Sequence, residues 1–266
     1  MEYLGYIGAI LMGMSLGLIG GGGSILTVPI LVYLFSVDAV VATAYSLFIV
    51  GVTSIFGSSS HFRQGNIHWR TAIVFGIPSI LSVYLTRKFL VPLIPQEIVT
   101  IDDFVVTKPI FMLLVFALLM VVASYSMIKK PSKDKETLEE DEIDYDYPLI
   151  LLEGAVVGGI TGFVGAGGGF LIIPALVLLA KLPMKKAVGT SLVIIGLKSL
   201  IGFTGDLHGD TAIDWKFLLI FTAIAVIGIF IGSNLSKKVP NEKLKPAFGY
   251  FVLVMGIYII IKEVFF

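Results

Sequence analysis

The run Gly17–Leu34, GLIGGGGSILTVPILVYL, decides how this chain is read, because it returns as Gly162–Leu179, GFVGAGGGFLIIPALVLL. Gly20, Gly22, Gly23 and Pro29 match Gly165, Gly167, Gly168 and Pro174 at one offset of 145 residues, the signature of an internal duplication. Consecutive glycines inside apolar sequence break helices, so each copy is expected to read helix, unwound tip, second helix. In lipid, irregular backbone is tolerated only where protein packs against it or where it lines a polar cavity. A Gly-interrupted segment at corresponding positions of two halves therefore points to a transporter's binding site.

Working outward, each half offers five apolar segments. They are Tyr3–Gly20, Ser24–Phe35, Val40–Ser59, Thr71–Leu90 and Pro109–Ile128, then Leu149–Gly165, Gly169–Ala180, Ala187–Thr204, Trp215–Leu235 and Pro246–Ile261. A full span takes ~20 residues, and the second segment of each half falls well short, so segments one and two are expected to form a hairpin with its tip sunk in the membrane. The expected fold is all-α: a polytopic helical membrane protein with repeats at residues 1–128 and 148–266 and a charged cytoplasmic linker at 129–147. Val91–Lys108, with two prolines and three acids, is expected to be an external loop. Pro29 and Pro174 are expected to kink or weaken the half-helices they sit in.

Composition agrees with the membrane. The 266 residues are 56% hydrophobic and 14% charged, against the roughly one quarter charged that is usual in soluble proteins. There is no cysteine, which excludes disulfides, thiolate metal sites and thiol nucleophiles. A formal net charge of zero argues against nucleic acid as a partner. The start, with Glu2 and no early Lys or Arg, lacks the basic opening of a cleaved signal peptide. The three histidines, His61, His68 and His208, form no HExxH-type arrangement, so no enzyme, metal or cofactor is expected. No ATP-binding motif is present either.

Five segments per half is an odd number, which inverts the second half relative to the first. Lys and Arg favour cytoplasmic loops. Arg63 and Arg70, Lys129 to Lys135, Lys181 to Lys186, and Lys237 to Lys245 all fall inside on one path, with both termini and the acidic stretch Asp206, Asp210, Asp214 outside. Arg87 and Lys88 are the exception, placed by this path at the outer interface, where long side chains can snorkel. The two tips then enter from opposite leaflets and approach near the midplane. Each is followed by a helix N-terminus, whose free N–H groups and positive dipole end suit an anion. The candidate binding groups are Gly20, Gly21, Gly22, Gly23 and Ser24 with Gly165, Ala166, Gly167, Gly168 and Gly169. The alternative is that these glycines only let helices pack closely, as the spaced pair Gly13 and Gly17 does.

Lys198 is the sharpest single residue, lying mid-segment in SLVIIGLKSLIGF and aligned with Thr53. An ionisable group there costs at least ~3 kcal/mol and needs a polar interior and a counter-charge. An anionic substrate is one candidate partner and Glu153 the internal alternative. Ser24, Thr27, Ser46, Ser54, Thr190, Ser191 and Ser199 could bond oxyanions or their own helices. His61 and Arg63, and Asp206 and His208, end matching segments and are candidates for gates or a proton relay.

These residues carry a resemblance. The paired glycine–proline pattern, the Thr190, Ser191, Leu192 run, and the spacing from Gly65 to Trp69 and from Gly209 to Trp215 resemble the TauE/SafE, or sulfite exporter (TSUP), family. The resemblance implies secondary transport of sulfur-containing anions such as sulfite or sulfonates, usually outward across the bacterial inner membrane. An anion channel is the alternative, and a homo-oligomer stays open. Ala166 for Gly21 and Gly169 for Ser24 make the two half-sites chemically unequal.

Overall fold

The computed structural model describes residues 2–101, 104–128, 147–165, 167–178, 180, 182–207, 213–236 and 241–265. The charged linker, Ala166 and His208 thus lie outside the described residues, apart from Tyr147. Among the described residues the chain is almost wholly helical. The first half comprises α1 (Glu2–Ile19), a 3₁₀ turn (Gly21–Leu26), α2 (Thr27–Phe35), α3 (Ala39–Arg63), α4 (Trp69–Leu85), a π-helical turn (Thr86–Leu90), α5 (Val91–Leu93), strands β1 (Glu97–Ile101) and β2 (Phe104–Thr107), and α6 (Lys108–Ile128). The second half comprises α7 (Tyr147–Val164), α8 (Gly169–Leu178), α9 (Met184–Asp206), α10 (Trp215–Ser236) and α11 (Asn241–Phe265).

Among the described residues, five stretches are long and apolar enough to cross a bilayer: Ala39–Arg63, Trp69–Leu93, Lys108–Tyr125, Met184–Asp206 and Trp215–Leu235. Their outward faces suit lipid. On α4, Ile73, Ile77, Leu81 and Leu85 are exposed at a spacing of one helical turn, while Phe75, Ser79 and Val83 on the other side are buried. By contrast α2 and α8 have 9 and 10 residues, enough for only ~15 Å at 1.5 Å per residue.

Helix directions follow from which residues meet. Gly23 lies against Leu16, Gly8 against Ile30 and Gly5 against Phe35, so α2 folds back along α1 and the hairpin's two ends share one end of the molecule. Gly13 meets Ala225 and Gly17 meets Ser233, so α1 and α10 run parallel. Small residues at Gly13, Gly17, Gly228 and Gly232 make that close approach, the packing role expected of the spaced glycines. On the other side Gly154 meets Phe75, Gly158 meets Ser79 and Gly162 meets Val83, so α4 and α7 also run parallel. Between them α3 and α9, the third helix of each half, run antiparallel: Gly202 faces Leu47, Gly196 faces Ile55 and Gly189 faces His61. Phe56 and Tyr45 on α3 stack against Phe230 and Phe217 on α10, which runs with α3. Gly76 meets Ile194 and Gly205 meets Lys88, so α4 runs with α9. Thus α1, α3 and α10 point one way and α4, α7 and α9 the other.

Three details differ from the sequence reading. The loop expected at Val91–Lys108 contains an antiparallel hairpin pairing Glu97 with Thr107 and Ile101 with Phe104. The β-branched runs Ile98–Ile101 and Val105–Thr107 favour extended backbone, a local signal outweighed by the prolines and acids around it. Pro29 lies in the first turn of α2, because the 3₁₀ turn occupies the six residues before Thr27. There its missing N–H removes no intrahelical bond, whereas Pro174 does sit inside α8. Finally, Arg87 is not at an interface: it is 1% exposed and sits in the π-helical turn that extends α4.

Candidate functional site

The two glycine tips meet. A Cβ on Gly21 would collide with the Cα of Gly169, and one on Gly169 with the Cα and carbonyl of Gly21. Only two residues without side chains allow backbones to approach so closely. This contact closes the line between the tips at that point, so any ion held by them lies beside the crossing and not within it. Among the site glycines, Gly20, Gly21, Gly23, Gly165, Gly167, Gly168 and Gly169 are buried, as is Ser24. Gly22 belongs to the 3₁₀ turn.

The tips are built differently. The first leaves Gly20 at φ 76° and enters the 3₁₀ turn, with the Ser24 hydroxyl donating to Gly21 O at 2.7 Å. The second holds Gly165, Gly167 and Gly168 at φ 73°, 64° and 75°. The first residue of α8 follows directly, and Leu171 and Ile172 N–H both donate to Gly168 O at 3.0 Å.

Lys198 is fully buried, and its Nζ donates to Thr161 Oγ1 at 2.6 Å. The same Nζ lies 2.8 Å from where a Cβ on Gly168 would stand, so the cation sits against the second tip. Glu153 does not pair with it: the one ion pair among the described residues lies elsewhere, between Arg87 and Asp206 at 3.5 Å. A buried ammonium with a hydroxyl as its neighbour retains capacity for an anion.

Several other hydroxyls in the buried interior lack partners. Thr27 Oγ1, Ser46 Oγ, Ser54 Oγ and Ser199 Oγ are buried without a hydrogen-bond partner among the described residues. Leaving such a group unpaired costs about 1–3 kcal/mol, so each retains capacity for a polar partner. Others in the set are occupied: Ser191 Oγ donates to Val188 O at 2.8 Å, and Thr190 Oγ1 accepts from His68 N at 2.9 Å.

The candidate gate residues separate into two places. His61 is half-buried at the C-terminal end of α3, against Gly189, and Arg63 is exposed beside it. Asp206 lies at the other end of the α3–α9 pair, ion-paired with Arg87. His61 and Arg63 therefore form no relay with Asp206.

Arg87 is the residue that sequence reasoning missed. Its Nη1 donates to Thr43 Oγ1 at 3.0 Å, and its Nη2 lies 2.5 Å from where a Cβ on Gly165 would stand. The second tip is thus flanked by cations at both ends, Arg87 at Gly165 and Lys198 at Gly168. Arg87 lies near the end of an apolar segment, next to Lys88, which reads locally as an interfacial pair. The π-helical turn changes the pitch there and turns Arg87 inward, a distortion frequent at functional sites.

Comparison with known proteins matches residues 6–259 to the family model described as sulfite exporter TauE/SafE. A relative named probable membrane transporter protein in Xylella fastidiosa (strain 9a5c) is 28% identical over 253 residues, covering 94% of this chain and 91% of its own. A similarly named protein of Methanocaldococcus jannaschii is 28% identical over 269 residues, 95% and 94% of the two chains. Another from Bacillus subtilis (strain 168) is 26% identical over 265 residues, 93% of each. No solved structure matches.

Proposed function

Given that the chain belongs to the sulfite exporter TauE/SafE family, and is a multi-pass membrane transporter and not an enzyme, we propose that it moves small sulfur-containing anions, sulfite or organosulfonates, outward across a bacterial inner membrane. The ion lies beside the crossed glycine tips, held by backbone N–H groups of the second tip and by Lys198, with Ser54 and Ser199 hydroxyls within the same buried layer. The observation that carries this reading is the fully buried Lys198 ammonium at Gly168, bonded to Thr161 and lacking a carboxylate among the described residues. An anion is the partner that offsets the cost of such a charge.

Alternating access between two inverted repeats follows from the same reading. The antiparallel α3–α9 pair and the opposed directions of α1 and α7 support it, because each half then presents its hairpin from the opposite end. Rocking one half against the other would part Gly21 from Gly169 and open the site to one side at a time. That contact favours a carrier over an open anion channel. Energy would come from an ion gradient or from the substrate's own gradient.

The test is counterflow of labelled sulfite in proteoliposomes. Saturable exchange that falls at least tenfold in Lys198→Ala is the expected result, by the ~1.5–3 kcal/mol typical of a hydrogen bond to a charged group. Large unsaturable currents would instead identify a channel.

A further inference from the structure

We propose that Arg87 is a second anion station, at which the transported ion displaces Asp206 on its way to or from Lys198. The inference rests on the transport reading above and adds a residue, a position and an order of events to it.

Three observations carry it. Arg87 is 1% exposed, yet only one of its three guanidinium nitrogens is engaged: Nη1 bonds Thr43 and approaches Asp206, while Nε and Nη2 have no partner among the described residues. The pair with Asp206 is loose. Its 3.5 Å separation exceeds the ~2.7–2.9 Å of a charge-assisted hydrogen bond, and Asp206 Oδ2 is likewise buried and unpartnered. Finally, the free Nη2 is directed at Gly165, the opening residue of the tip whose other end holds Lys198. Three residues of chain span at most ~11 Å, so one small ion can pass between the two cations without leaving the tip.

Charge points the same way. Lys198 has no carboxylate partner among the described residues, and Lys108, buried at the start of α6, is close enough for its charge to act on Arg87 and Asp206, with Asp38 also nearby. A guanidinium presents two parallel N–H donors that match two oxygens of an oxyanion, which a loose single contact to Asp206 leaves unused. An arriving oxyanion takes that fork, and Asp206 swings away. When the ion departs, Asp206 returns and closes this end. No bond is made or broken; a carboxylate and a substrate anion exchange on one cation.

The experiment measures sulfite binding to purified protein and sulfite counterflow in proteoliposomes, for wild type, Arg87→Lys, Asp206→Asn and the double variant Arg87→Gln/Asp206→Asn. The double variant removes both charges together and so leaves no unpaired buried ion to unfold the protein. Losing the fork should weaken binding about tenfold in Arg87→Lys, and removing the competing carboxylate should tighten it about tenfold in Asp206→Asn, with slower counterflow in both. The folded double variant should bind no better than Arg87→Lys. Affinities within twofold of wild type in Asp206→Asn and in the double variant, with binding still lost in Lys198→Ala, would make Arg87 and Asp206 a structural strut and overturn the station while leaving the transport reading intact. If wild type neither binds nor exchanges sulfite, the transport reading fails, and the station with it.

Discussion

The first glycine tip faces apolar atoms and backbone: Val188 and Ile173 at Gly20, Ile195 at Gly21, the Leu16 backbone with Ser15 Oγ at Gly23. The second faces Thr43 and Arg87 at Gly165, and Thr161 and Lys198 at Gly168. These neighbours occupy corresponding places. Thr43 stands where Val188 does, Thr161 where Leu16 does, and Lys198 where Thr53 does, each at the 145-residue offset that relates Gly20 to Gly165. The duplication has kept the crossing of backbones in both copies and has placed the charged groups around one. The two tips, alike in sequence, thus differ in the chemistry of their surroundings.

The largest effect should come where the tips are alike. Gly21→Ala and Gly169→Ala each force a methyl into opposing backbone, and should cost roughly 3 kcal/mol, the upper range for overpacking, with loss of folded protein in detergent thermal-unfolding assays. If either is tolerated, the crossing is not the frame both halves share. Next comes the difference between aligned positions. Lys198→Ala should lose ten- to a hundredfold in anion affinity, on the order of 1.5–3 kcal/mol. Thr53→Ala should stay within about twofold, because its hydroxyl only donates to Ile49 O at 2.6 Å.

Smaller still is the contrast at the entrances of the tips. Gly20 and Gly165 both have positive φ, yet a methyl on Gly20 meets the ends of Val188 and Ile173, while one on Gly165 meets Thr43 Cβ and O and the Arg87 guanidinium. Gly165→Ala should therefore be the more damaging by about 1–2 kcal/mol in thermal or denaturant unfolding. Equal costs would mean that backbone strain, common to both, outweighs the neighbours.

The smallest effect concerns the caps that begin the matching helices α4 and α10. His68 Nδ1 accepts from Thr71 N at 3.3 Å, and Asp214 Oδ1 accepts from Phe217 N at 3.0 Å. The imidazole must be neutral to accept. Burial, then the nearby charges of Lys186 and Arg70, hold its pKa below the usual 6.5. A histidine so lowered contributes fully above its unfolded pKa of about 6.5 and loses that contribution as pH falls through the lower folded value. The cap, worth about 1 kcal/mol, should be lost as pH falls below about 6.5 and through the lowered folded value, and persist to near pH ~4 in His68→Asp. A melting temperature with the same pH profile in both proteins would remove the imidazole from that role.

The glycine tips and the buried lysine of the candidate site could be read in advance because they depend on local chemistry. Glycine runs in apolar sequence mark breaks wherever they occur, and a lysine mid-span marks a polar interior. What was left open or misread depended on neighbours distant in sequence. The partner of Lys198, left open between an anion and Glu153, is Thr161 among the described residues, because α7 turns that threonine toward α9. Arg87 looked interfacial by its place near a segment's end, and one turn of altered helical pitch buried it.

The sequence by itself determined the membrane class, the two copies, the short second helix in each and the glycines at their tips, because hydrophobicity, length and backbone freedom belong to residues and their spacing. Tertiary structure alone decided that Gly21 would lie on Gly169, that Arg87 and Lys198 would flank the same tip, and that Asp206 would reach across from α9. Those are relations between helices far apart in the chain. They are fixed only when packing settles which faces meet, and no local pattern encodes that distance.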